Sequence, residues 1–178
     1  MTFSYEIWFP KKFQFVKGGK LPGLYGGDDP KVAKSCSGGR RATNCFSARF
    51  MWRKGGKGEL YTYLPDPKFG EKFAKNKNLC KKVKHSDCNS VYGASIGRGL
   101  FKFKTEKWTA IAVTLRLNSK GKADGVLKVT ANGKEVFSVD ELTFADSDKA
   151  RIVGLQMQAF FGGNALAHDT CYYGVDRF

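Results

Sequence analysis

Acids are scarce in this chain, and long apolar runs are missing. Only 16 Asp and Glu stand against 31 Lys and Arg, a formal charge of +15. No stretch approaches the roughly 18 apolar residues that would span a bilayer, so no membrane partner is expected. A sustained helical period is missing too, and with it any helix-turn-helix; zinc-finger spacing and the single-strand RNP motif are equally absent. Charge alone therefore favours nucleic acid, and no such partner is expected. With two histidines and no CxxC, the chain lacks the usual makings of a zinc site, and neither metal nor cofactor is expected. No internal repeat or linker divides residues 1–178, which are read as a single domain. The chain opens on Met1-Thr2-Phe3-Ser4-Tyr5-Glu6 without a leader, so a secreted protein is expected to be a mature domain.

What is present points to a polyanion. The basic residues are spread over turns and strand faces, and a field of that sign suits a uronic-acid or sulfated polysaccharide. Lys72, Lys75, Lys77 and Lys81 read as solubilising residues. Cys36 and Cys45 flank a Gly-rich loop, and Cys80 and Cys88 a Lys-rich one. Two local disulfides, Cys36–Cys45 and Cys80–Cys88, each clamping a loop, imply an oxidising compartment; the alternative is five free thiols in a cytosolic protein. Cys171 is left over as a small buried hydrophobe.

Apolar residues recur with period two. Tyr5, Ile7 and Phe9 alternate with Ser4, Glu6 and Trp8; Phe46, Ala48, Phe50 and Trp52 alternate with Ser47, Arg49, Met51 and Arg53. After a turn at 54–58, Leu60, Thr62 and Leu64 alternate with Tyr61 and Tyr63. Further strands are expected at 99–104, 109–117, 125–131, 135–139, 152–160 and 170–175, with Asn132-Gly133 as a type I′ hairpin. About nine strands make an all-β, antiparallel β-sandwich of the jelly-roll kind. Residues 66–90 read as a long basic loop held by its cysteines.

If Phe46, Ala48, Phe50 and Trp52 face the core, Ser47, Arg49 and Met51 face outward. A turn in register then sets Arg49 opposite Tyr63 and Met51 opposite Tyr61. Gln156 and Gln158 alternate with Leu155, Met157 and Ala159, and their amides suit sugar hydroxyls or carboxylates. These residue types match the β-elimination of a 4-linked uronate. A cation must neutralise the C6 carboxylate, a base must take the C5 proton, and an acid must protonate the leaving O4. In mannuronate the C5 proton and O4 lie on one side of the ring, so a single tyrosine could do both. His168, followed by Asp169, is a challenger for proton transfer. In Lys17-Gly18-Gly19-Lys20, the glycines admit unusual backbone geometry and close approach of a chain-like ligand, and Pro22-Gly23 marks a turn.

Tyr5-Glu-Ile-Trp-Phe-Pro10, Lys17-Gly-Gly-Lys-Leu-Pro-Gly-Leu-Tyr-Gly-Gly27, Ser47-Ala-Arg-Phe-Met-Trp-Arg53, Tyr61-Thr-Tyr63 and Gln156-Met-Gln-Ala-Phe-Phe-Gly-Gly163 resemble polysaccharide lyase family 14. The family includes alginate lyases of marine molluscs and polyuronate lyases of algal viruses. The resemblance implies a jelly roll with a cleft over one sheet, and active-site residues at Lys20, Ser47, Arg49, Tyr61 and Tyr63. Lys20 and Arg49 are expected on the carboxylate, Tyr61 or Tyr63 in proton transfer, and Ser47, Gln156 and Gln158 in substrate binding. Both cysteine pairs look similar to disulfides of the molluscan members. The expected protein is a secreted, extracellular, monomeric alginate lyase, acting without a cofactor on mannuronate-rich chains. A glucuronan or other polyuronate lyase, or a non-catalytic module for acidic polysaccharide, is the alternative.

Overall fold

The computed structural model describes residues 1–89, 91–157 and 160–161. Alternating strands build two antiparallel sheets packed face to face, as the sandwich reading expects. The smaller has β1 (Thr2–Ile7), β7 (Thr109–Arg116), β8 (Gly125–Ala131) and β9 (Lys134–Leu142), in the order β1-β7-β8-β9. The larger is formed by β10 (Arg151–Gln156), β2 (Gly19–Gly27), β3 (Cys45–Trp52), β4 (Lys57–Tyr63), β6 (Ala94–Lys102) and β5 (Asp87–Cys88), in that order, and β11 (Phe160–Phe161) adds to β2. Between the sheets lie Ile111, Val113, Leu115, Leu127 and Val129 from one side and Leu24, Phe46, Ala48, Phe50, Leu60 and Ile96 from the other, all buried. Asn132 and Gly133 adopt φ of 49° and 76°, the two left-handed residues that a type I′ turn requires. Both disulfides, Cys36–Cys45 and Cys80–Cys88, are formed. The expected strand at 170–175, with Gln158, His168 and Cys171, lies outside the described residues.

Strand β2 is the main departure from expectation. Four glycines and a proline in nine residues are poor strand formers, yet this strand joins β10 to β3. Its glycines make room for neighbours. A Cβ on Gly19 would lie 1.9 Å from Cζ2 of buried Trp52, and one on Gly26 would lie 2.4 Å from Cζ of Phe46. Neither Gly18 nor Gly19 has a positive φ, so packing against β3 is what they supply, not unusual backbone geometry. Pro22-Gly23 is not a turn. Pro22 sits in the register shift between Lys20 and Gly23, where no ladder N–H is needed, and its carbonyl accepts the Tyr5 hydroxyl at 3.1 Å. Gly19→Ala is therefore expected to destabilise the fold by about 2 kcal/mol, because Trp52 has nowhere to move. A urea denaturation midpoint equal to that of the parent chain would contradict this.

Residues 66–89 are largely helical rather than a loop. Two 3-10 segments, Pro67–Phe69 and Glu71–Lys77, run into the helix α2 at Asn78–Lys82. Phe73, Asn76 and Leu79 are buried, a spacing of three that matches the 3-10 repeat and escapes a search for the α-helical one. Asn76 acts as a clamp, donating through Nδ2 to the carbonyls of Pro65 and Thr143, both at 2.9 Å, and accepting from Thr143 N. Lys72 pairs with Asp146, Lys75 with Glu141, and Lys82 with Asp140. Lys72 and Lys75 thus fasten this segment to β9 and the residues after it.

Candidate active site

The hairpin β3–β4 occupies the middle of the large sheet. Its turn runs from Arg53 to Lys57, closed by Arg53 N donating to Lys57 O at 2.8 Å, with left-handed φ at Gly55 and Gly56. Because the turn begins at Arg53, Lys57 and Gly58 join the strand. The register is Ser47↔Tyr63, Arg49↔Tyr61 and Met51↔Glu59, two residues away from the expected pairing of Arg49 with Tyr63 and Met51 with Tyr61. An even shift leaves every side chain on its expected face.

Adjoining strands extend these rows. Lys20 pairs with Met51, and Tyr25 with Ser47. Gly23 stands between Arg49 and Gln156, so Gln156 shares the row of Arg49 and Tyr61 with no side chain intervening. Lys20, Arg49, Tyr61, Tyr63 and Gln156 are therefore brought to one face.

That face is not an open solvated surface. Arg49 is 1 % exposed, and Ser47 and Met51 are buried as well. The disulfide-bonded Cys36 and Cys45 pack with Tyr63, flanked by Val32 on the short helix α1 (Pro30–Ala33), Ala42 and Tyr61. Ser47 Oγ donates to Cys36 O at 2.7 Å. Its hydroxyl thus helps to hold the disulfide loop against the sheet. Tyr63 Oη accepts from Gly39 N at 3.1 Å, which ties the same loop to the second tyrosine.

Tyr61 is the hub. Lys20 Nζ lies 5.0 Å from its ring centroid and Arg53 Cζ 5.7 Å, and the Tyr63 ring meets it edge-on at 5.6 Å. Burial, and then the neighbouring Tyr63 phenol, push the Tyr61 hydroxyl up to about 12. Burial, reinforced by the charges of Arg49 and Arg53 and partly opposed by Glu59, lowers Lys20 to about 8. Burial also lowers Arg49, against the nearby phenols of Tyr63 and Tyr61; an arginine so placed still keeps its charge at neutral pH. The site thus holds a lysine that can give up its proton near neutrality, beside a phenol that does not.

Arg53 and Glu59 also stand at this site, and the sequence reading left them out of it. Glu59 is wholly buried. It binds Arg53 through Oε1 (2.7 Å to Nε) and, through Oε2, Ser95 Oγ at 2.7 Å and Arg98 Nε at 2.8 Å. Both residues carry a signal in the alternation. Arg53 has the parity of Arg49 and Met51, and Glu59 that of Tyr61 and Tyr63. Extending the face by one residue along each strand finds them.

The two-sheet sandwich agrees with the comparisons. The sequence profile described as polysaccharide lyase 14 matches residues 1–173. The chain is similar to the crystal structure of the marine PL-14 alginate lyase from Aplysia kurodai, with 36% identity and a TM-score of 0.77 over 92% of this chain and 61% of that one. It shares its fold with alginate lyase vAL-1 from Chlorella virus, at 24% identity and a TM-score of 0.65, covering 90% of this chain and 62% of the viral one. A curated relative, the exolysin of Paramecium bursaria Chlorella virus 1, is 26% identical over 173 residues, 90% of this chain and 25% of that protein. The chain therefore spans about a quarter of the exolysin and about three-fifths of the solved lyases.

Proposed function

The chain belongs to the polysaccharide lyase 14 family, and on that premise we propose that it cleaves alginate, at mannuronate-rich stretches, by β-elimination. The observation that carries this is the cluster of Lys20, Arg49 and Arg53 around the Tyr61 ring. Three cations with Glu59 as the nearby acid make a site short of negative charge, which a uronate carboxylate supplies. Likeness to the Aplysia alginate lyase supports alginate as the polymer.

In this mechanism Arg49 neutralises the C6 carboxylate, with Arg53 adding positive charge from the far side of the Tyr61 ring, so that charge can build up at C5. Lys20 acts as the base, a role that its lowered pKa of about 8 suits better than the carboxylate contact expected from sequence. Its free amine takes the C5 proton, the electron pair becomes the C4–C5 double bond, and the C4–O4 bond breaks. Tyr61, still a phenol, gives its proton to O4, and proton return from the Lys20 ammonium to the phenolate resets the pair. Lys20 and Tyr61 are neighbours on one wall. A base and an acid on one side suit mannuronate, whose C5 proton and O4 share a side. Gln156 binds sugar hydroxyls along the Arg49 row, and Gln158 is assigned the same role from sequence alone.

Two disulfides fit a secreted protein acting on extracellular polysaccharide, and the proposed acting form is the monomer. The test is the ultraviolet absorbance of the unsaturated uronate product on defined mannuronate, guluronate and glucuronate polymers. Absorbance growing fastest on polymannuronate is expected, and none on any of them would end the proposal. Tyr61→Phe, which keeps the ring under Lys20, is expected to cut kcat by about 10²–10⁴-fold. A parental rate would remove Tyr61 from proton transfer.

A further inference from the structure

Two tryptophans stand in water at one corner of the molecule, where the mechanism has no use for them. Trp8 is 36% exposed and Trp108 54%. Strands β1 and β7 pair as far as Ile7↔Thr109, and the tryptophans are the next residue on each, so both leave the small sheet at the same corner. Beyond them the chains stay together, with Glu106 N donating to Phe9 O at 2.8 Å. Two exposed indoles at one corner offer an apolar surface to a partner.

Trp8 has the parity of exposed Ser4 and Glu6, on the outer face of the small sheet. A basic rim runs from there across the end of the sandwich to the cleft on the large sheet. Gly55 N donates to Phe15 O at 2.9 Å and Phe103 N to Gly56 O at 2.8 Å, so the β3–β4 turn, residues 9–16 and residues 102–108 form one end of the sandwich. Lys54, Lys57, Lys102, Lys104 and Lys107 are exposed on it, and none has an ion pair among the described residues. At the base of that turn stands Arg53, 5.7 Å from the Tyr61 ring. The acids of the corner are Glu6 and Glu106, too few to balance these lysines.

We infer that this rim and its two indoles form a second contact for the acidic polysaccharide, outside the cleft, along which a long chain lies while one part of it is cut. The inference rests on the polyuronate reading above. Lysines spaced along a rim meet the repeating carboxylates of such a chain. Indoles offer the broad apolar face on which the C–H side of a pyranose stacks, with an N–H free for a hydroxyl. A chain holding both contacts rebinds at the cleft from a high local concentration, so the gain falls on long substrates alone.

The test compares the parent protein with Trp8→Ala/Trp108→Ala and with Lys54→Glu/Lys104→Glu. Each is assayed on high-molar-mass alginate and on a short oligouronide, and run through native gels containing alginate. Each double variant is expected to raise KM on the polymer roughly tenfold with kcat unchanged. Oligouronide turnover should hold, and retardation in the gel should weaken. Unchanged polymer KM and retardation in both variants, or an equal loss on the oligouronide, would overturn the inference. If the parent cuts no polyuronate, the lyase reading fails while the gels still report on the rim. Retardation of the parent that both variants lose would then support a binding surface, and none in the parent would end that as well.

Discussion

Lys20→Met is expected to lower kcat/KM on polymannuronate by about 10³-fold while the protein stays folded. Methionine keeps most of the volume of the half-buried side chain and removes only the amine. The same change takes a cation away from the Tyr61 ring, 5.0 Å from Nζ, a smaller loss. The pH dependence separates the roles that this lysine could play. Its pKa in the empty site is lowered to about 8, by burial first and by Arg49 and Arg53 next. If the free amine is the base, kcat/KM rises with pH, climbing about tenfold per unit below 8 and levelling above it, because this ratio reports the free enzyme. If the ammonium instead holds the carboxylate, kcat/KM falls as pH passes 8. A falling limb would move Lys20 to the carboxylate and give the base to a tyrosine. Near-parental activity of Lys20→Met would remove it from the chemistry.

The sheet arrangement was legible where side chains alternate, and the face of the site was legible with it. Ser47, Arg49, Tyr61 and Tyr63 could be assigned to one side because the period of two survives an error of two in register, as happened at the β3–β4 turn. Two features escaped the sequence for separate reasons. Strand β2 is written in glycine and proline, whose use there depends on rings of another strand, so no local signal announces it. The burial of Ser47 depends on a loop closed by Cys36–Cys45 and folding back over the sheet. The sequence showed the disulfide and not what the loop covers. Glu59 is a third case. A charge next to a glycine in a turn-like stretch looks solvated, and only the convergence of Arg53, Ser95 and Arg98 makes its burial tolerable.

Arg49→Met is expected to cost about 10²–10³-fold in kcat and, in contrast to most core substitutions, to leave the fold as stable or more stable. The guanidinium is 1 % exposed and stands in a row with Tyr61, close enough to Lys20 for the two charges to repel. Desolvation and like-charge repulsion both work against the empty site, and an unbranched apolar side chain removes both while filling similar space. On the proposed reading a substrate carboxylate reverses this balance, so an arrangement that costs stability can serve activity. The substitution has a second signature. Arg49 is one cause of the lowered pKa of Lys20, so its loss moves the rising limb of the pH profile above 8, toward the ordinary lysine range. Arg49→Lys restores charge without the two-pronged geometry and is expected to recover only part of the rate. Thermal unfolding and pH–rate measurements on the same variants decide the case. A melting temperature several degrees lower, with most activity retained, would make Arg49 a structural residue and leave Arg53 to hold the carboxylate.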